Sequence, residues 1–157
     1  MERVRIDDVE TTVDPSTVMK SLTEALGATD VAVNYYELAP GDTFAYGYHS
    51  HERQEELFYV QSGTVTFETE DGDVTVAAGE VVRFGPGEFQ RGWNRGDERV
   101  VAIAIGAPQD GGEVVKYEDC PRCGERTRHD IESREGGEVH VTVCQECGGE
   151  SARYTRG

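Results

Sequence analysis

The chain has 157 residues, 36% of them hydrophobic, which is enough for one core of ordinary size plus a small appendage. Its 31 acidic residues oppose 15 basic ones for a formal net charge of −16, a balance that disfavours binding nucleic acid through phosphate neutralisation. No stretch is long and apolar enough to span a membrane, and the opening Met-Glu-Arg-Val-Arg-Ile-Asp-Asp lacks the apolar run of a secretory signal, so a cytoplasmic protein is expected.

From the N-terminus, Asp14 before Pro15 predicts a helix cap, with Val18, Leu22 and Leu26 on one stripe until Gly27 ends the helix. The pattern then changes to strands, expected over 31–38, 43–51, 57–60, 64–70, 74–76, 81–84 and 100–105. Turn residues separate most of them: Ala39 to Asp42, Asp71-Gly72, and Gly85-Pro86-Gly87. Many short strands at this spacing predict an all-β sandwich or closed barrel. Pro108 to Gly112 marks a boundary, and the charge is uneven across it, net −13 over residues 1–112 and −3 over 113–157. The expected units are an N-terminal segment with a short helix (1–30), a barrel (31–108), a linker (109–116) and a small C-terminal unit (117–157).

Chemistry enters at His49-Ser50-His51. On an extended strand these two imidazoles project from one face, which suits chelation. Glu56 joins them if the chain turns between residues 52 and 55, and it then shares a strand face with Phe58 and Val60. A carboxylate among apolar walls is costly to bury without a cation. Two imidazoles and a carboxylate form a set that binds iron(II) or a similar divalent ion with coordination positions left open.

The stretch from Gly41 to Gly63 resembles the first signature motif of the cupins, a glycine, His-x-His, a glutamate and a closing glycine. Residues 79–94 resemble the second, with Gly79, Gly87 and Asn94 in register. The likeness covers roughly residues 30 to 107 and implies a double-stranded β-helix, that is, a jelly-roll barrel. It implies a metal or ligand site at His49, His51, Glu56 and Gln90. Two departures stand out: seven residues separate Gly41 from His49 where the family usually has five, and Gln90 stands where the family places its third histidine. The Gln90 amide either completes the coordination through its oxygen or donates its NH2 to a ligand. The opposing reading is a metal-free, hydrogen-bonded patch lining a cavity. Tyr35, Tyr46, Tyr48, Phe58, Phe67, Phe84 and Trp93 read mainly as core. Arg83 and Arg91 read as solvated arginines before anion clamps.

All four cysteines fall in two pairs, Cys120-Pro-Arg-Cys123 and Cys144-Gln-Glu-Cys147. Two tight turns of this kind present four thiolates to one tetrahedral zinc, and the segments 126–132 and 138–143 between them fit a hairpin around residues 135–137. The unit resembles a zinc ribbon. Zn2+ there is structural, since four sulfurs leave no open position, and it supplies much of the folding free energy of so small a unit. A redox pair would want a thioredoxin-like pattern of strands and helices that is absent, and disulfides would need an oxidising compartment. His129 and His140 read as packing or exposed residues rather than substitute ligands.

The resemblance implies a metal-dependent enzyme (Fe, Mn, Ni or Zn in the barrel) with oxygenase, isomerase or lyase chemistry on a small polar molecule. The alternative is a non-catalytic ligand-binding or regulatory cupin whose ribbon contacts a protein; a ribbon that binds nucleic acid is the weakest reading, since nearby acids cancel its arginines. Cupins imply a homodimer. The acidic, lysine-poor composition resembles that of proteins from salt-accumulating halophiles, in which screening at molar salt suppresses self-repulsion.

Overall fold

A computed structural model describes residues 1–156. The strands are β1 (Val18–Ser21), β2 (Ala32–Leu38), β3 (Tyr48–His51), β4 (Glu55–Ser62), β5 (Thr64–Thr69), β6 (Gly72–Ala77), β7 (Val81–Phe84), β8 (Gln90–Trp93), β9 (Val100–Ala107), β10 (Val114–Cys120), β11 (Glu125–Arg134), β12 (Val139–Cys144) and β13 (Glu150–Thr155). One short helix, α1 (Leu22–Leu26), follows β1. The strands form a five-stranded sheet ordered β1-β2-β9-β4-β7 and an eight-stranded sheet ordered β13-β12-β11-β10-β3-β8-β5-β6. All pairings are antiparallel, and the fold is the cupin jelly roll with a C-terminal hairpin unit carrying four clustered cysteines.

Inward-facing side chains grade in size along the barrel, and this grading sets where the core ends and a cavity begins. On β9 the inward residues run Val100, Ala102, Ala104, Gly106, while Val101, Ile103 and Ile105 face outward. Their partners on β2 run Leu38, Tyr36, Asn34, Ala32, and those on β4 run Val60, Phe58, Glu56. One end is therefore filled by Leu38, Val60, Val65, Phe67 and Val100, all at 0% exposure, with Phe44, Phe58 and Phe67 packed ring against ring. At the other end the side chains are too small to meet across the barrel. Gly106 leaves room there for the end of the Gln54 side chain, which a Cβ would approach to 2.5 Å.

Two expectations are corrected. The helix expected from Pro15 begins only at Leu22, because Val18–Ser21 pairs with β2 as an edge strand. The sheet offers that segment backbone partners that one turn of helix could not, so tertiary pairing overrides the apolar stripe. Asp14 caps no helix; its Oδ1 accepts from Ser16 N–H at 2.9 Å and Ser16 Oγ at 2.6 Å. Further on, β10 starts at Val114, inside the stretch expected as a linker, and pairs with β3. The C-terminal hairpin thus continues the sheet that carries His49 and His51.

Candidate functional site

His49 and His51 point from β3 into the wide end of the barrel, as strand alternation predicts. The chain bends at residues 52–53, and β4 then brings Glu56 to meet them. Glu56 Oε2 lies 3.8 Å from His49 Nε2 and 3.4 Å from His51 Nε2. His49, at 7% exposure, donates from Nδ1–H to Gly47 O at 3.0 Å, which leaves the Nε2 lone pair facing the carboxylate. His51 Nε2 is buried and has no hydrogen-bond partner, although it stands at ion-pair distance from Glu56. Burial pushes the Glu56 carboxyl up, but the two imidazoles pull it further down, to about 2, so the group is an anion at any ordinary pH.

Gln90, 2% exposed on β8, is the register partner of His49. Its Nε2 donates to Glu56 Oε2 at 3.0 Å and stands 3.4 Å from His49 Nε2. The amide thus sits among the ligating atoms, its hydrogens directed at a carboxylate and an imidazole lone pair. Turning the amide by 180° would present Oε1 in the same place. The donor set fits a divalent ion: three ligand atoms lie within 4.8 Å of one another, with one buried imidazole nitrogen otherwise orphaned.

These residues line a cavity of about 270 Å³ with Asp14, Asn34, Tyr36, Phe44, Tyr46, Phe58 and, from β10 and β11, Val114, Lys116 and Ile131. Of the aromatics singled out in the sequence, Tyr46 and Phe58 face this cavity. Tyr48 stacks on Phe89, and Phe67 and Phe84 pack on one another. Arg83 pairs with exposed Glu55 away from the site. Arg91 is not solvated: it lies 4.2 Å over the Trp93 ring and 4.0 Å from Glu118, and it lines no part of the cavity.

Sequence reasoning missed Asp14 and Lys116. Burial pushes the Asp14 carboxyl from 3.8 up to about 7 against the hydrogen bonds from Ser16 that pull it down, with Asp42 adding to the rise. Lys116 stands directly opposite His49 in the β3–β10 register, so both side chains share the inward face. Burial lowers its pKa, and Asp130 partly offsets this. The available signal was composition: Lys116 is one of only two lysines in the chain.

The four cysteines converge as their spacing predicts. Cys120 and Cys147 Sγ lie 3.7 Å apart, Cys123 and Cys144 Sγ 3.8 Å, and all four sulfurs fall within 4.8 Å of one another. Two bonds of about 2.3 Å at the tetrahedral angle place sulfurs about 3.8 Å apart, so the cluster fits a zinc-sized ion. Each pair is closed by a turn whose glycine donates back to the first cysteine: Gly124 N–H to Cys120 O and Gly148 N–H to Cys144 O, both at 2.9 Å. Both glycines are left-handed, at φ 73 and 68. The contact of Thr127 Oγ1 with Cys144 Sγ at 3.1 Å helps hold that thiol down at about 6. His129 and His140 lie outside the cluster. His129 is buried against Thr127 O and Ser151 Oγ, and His140 Nδ1 is 2.6 Å from Tyr46 Oη.

Comparison with known proteins agrees with this architecture. Residues 34–106 match the family model described as Cupin domain. A sugar phosphate isomerase from a cupin superfamily, from Silicibacter pomeroyi DSS-3, is similar at 18% identity and TM-score 0.62 over 98% of this chain and 92% of that one. A putative sugar phosphate isomerase from Acidithiobacillus ferrooxidans is 25% identical, with TM-score 0.53 over 80% of this chain and 69% of that one. A predicted oxalate decarboxylase from Thermotoga maritima is 23% identical, with TM-score 0.59 over 68% and 98% of the two chains. No curated protein matches the sequence. Among the described residues no helix is long and apolar enough to cross a membrane.

Proposed function

We propose that the barrel cavity holds a divalent metal ion on His49, His51 and Glu56 and acts on a small polar molecule, and that Cys120, Cys123, Cys144 and Cys147 hold a structural zinc. The observation that carries this reading is the convergence of His49 Nε2, His51 Nε2 and Glu56 Oε2, with the His51 nitrogen buried and otherwise unpartnered. Bound there, a divalent ion supplies a Lewis acid that polarises a substrate oxygen.

The chain's own residues supply the rest. Gly47 O fixes the His49 tautomer, and Gln90 either steadies Glu56 through its NH2 or turns its oxygen inward. Tyr36, Phe44 and Phe58 make the cavity wall apolar and limit water. Asp14, with Oδ1 engaged by Ser16, keeps Oδ2 to carry a proton, and its pKa of about 7 suits it to give or take one near neutrality. Oxygenase, isomerase or lyase chemistry is the class this arrangement serves, and the likeness to a sugar phosphate isomerase and a predicted oxalate decarboxylase supports a metal-dependent reaction at the level of the fold. Activity, once assigned, should vanish with His51→Ala together with barrel metal; activity that survives without that metal contradicts the proposal.

A second reading is favoured by one contact. Tyr46, on the cavity wall, donates to Val13 O at 3.0 Å and receives the Nδ1–H of His140 on β12 at 2.6 Å, so cavity and hairpin share a hydrogen-bonded link. A ligand-binding protein could signal through that link to a partner on the hairpin. Partner capture that depends on a cavity ligand and is lost in Tyr46→Phe would favour this reading over catalysis.

A further inference from the structure

Of the two lysines of the chain, Lys20 has an assigned place: it donates from Nζ to Ile6 O at 2.9 Å. Lys116 has none. It is half-buried in the wall of the metal cavity, directly across from His49, and it takes part in no ion pair among the described residues. The acids whose charge reaches it are occupied elsewhere, Asp130 accepting from Gln145 Nε2 at 2.9 Å and Glu118 lying 4.0 Å from Arg91. In a chain with 31 acidic residues, a half-buried lysine on a cavity wall that is left without a carboxylate partner is free to pair with a bound anion.

We infer that Lys116 anchors an anion subsite beside His49, His51 and Glu56, so that the cavity takes a small oxyanion-bearing ligand, a phosphate ester or a carboxylate. The inference rests on the cavity being the functional site and does not depend on its metal. Lys116 is the one lysine or arginine among the described residues lining the cavity, and with a divalent ion bound the site stays positive even with Glu56 and Asp14 ionised, which complements an anion. The lysine comes from β10, outside the residues 34–106 that match the family model, so the oxyanion anchor is supplied by the strand that leads into the C-terminal hairpin.

The test is calorimetric titration of the metal-depleted barrel site in the full chain, cysteine zinc retained, with inorganic phosphate, glycolate and neutral glycerol at constant ionic strength. Wild type is expected to bind at least one of the two anions and not glycerol. Lys116→Met is expected to lose at least tenfold in affinity, and Lys116→Arg to stay within about threefold. Lys116→Gln, with unchanged zinc content at the cysteines, guards against a folding defect and is expected to behave as Lys116→Met. Tighter phosphate binding assigns a phosphorylated ligand and tighter glycolate binding a carboxylate. Equal anion affinity in wild type and both neutral variants, or no anion binding by wild type, overturns the inference. Metal content distinguishes this from failure of the proposed function: lysine-dependent anion binding in a barrel that never takes metal removes the catalytic reading and leaves the subsite standing.

Discussion

The two ligand clusters of this protein answer opposite requirements. At the C-terminal cluster four sulfurs already stand at tetrahedral spacing, and all four positions of a bound ion would be filled by the chain. In the barrel only three ligand atoms converge, the fourth neighbour is an amide, and a cavity opens beside them. A closed set stabilises a fold, and an open set leaves room for a ligand. The clusters are also mechanically joined, because β10 ends at Cys120 and pairs along its first half with the strand that carries His49 and His51. What holds the cysteine cluster together therefore also holds one wall of the cavity.

The largest effect should come from breaking the closed set. Structural zinc is worth about 10–16 kcal/mol in isolated finger units at neutral pH, so Cys120→Ser is expected to strip zinc and melt the hairpin, seen as lost hydrogen-exchange protection over β11 to β13. Barrel metal affinity should fall about tenfold as well, since β10 loses its anchor; an unchanged barrel would show the two clusters to be independent. Next, His51→Ala should weaken barrel metal at least 100-fold and leave the zinc in place, read by competition with a chelator. A smaller change sharpens the contrast: Gln90→His replaces a neutral amide with an imidazole and should tighten barrel metal about tenfold, moving the open site toward the closed one. The smallest effect concerns pH. Asp14 has a folded pKa of about 7 against 3.8, so the folded state holds the proton more tightly and stability falls as pH rises from about 4 to about 7. Asp14→Asn should remove that slope, raising Tm at pH 8 by several degrees relative to wild type. A slope unchanged in the variant would place the titration elsewhere.

How much of this was legible in the sequence follows the same division. Ligands close in sequence with fixed spacing, His49 with His51 and each cysteine pair, declare themselves because local backbone geometry alone brings them together. Glu56 was readable as the inward residue of an alternating strand. Gln90 was reached only through resemblance, since Gly92 and the polar residues around it hide β8. Asp14 and Lys116 were not legible as site residues. Asp14 mimics a helix cap before proline, and Lys116 lies in the first half of β10, which pairs with β3, some 65 residues away in the chain. Non-local pairing, which no local pattern encodes, is what brought Lys116 to the cavity, and it also turned Val18–Ser21 from helix to strand.

The most direct test of two clusters with two roles is elemental analysis of the full chain, purified without chelators, beside the His49→Ala/His51→Ala variant. Two metals per chain are predicted: a zinc that persists in the variant and a second divalent ion that is lost with the histidines. A single zinc per chain, the same in both proteins, would contradict the account and leave the barrel as a metal-free ligand pocket.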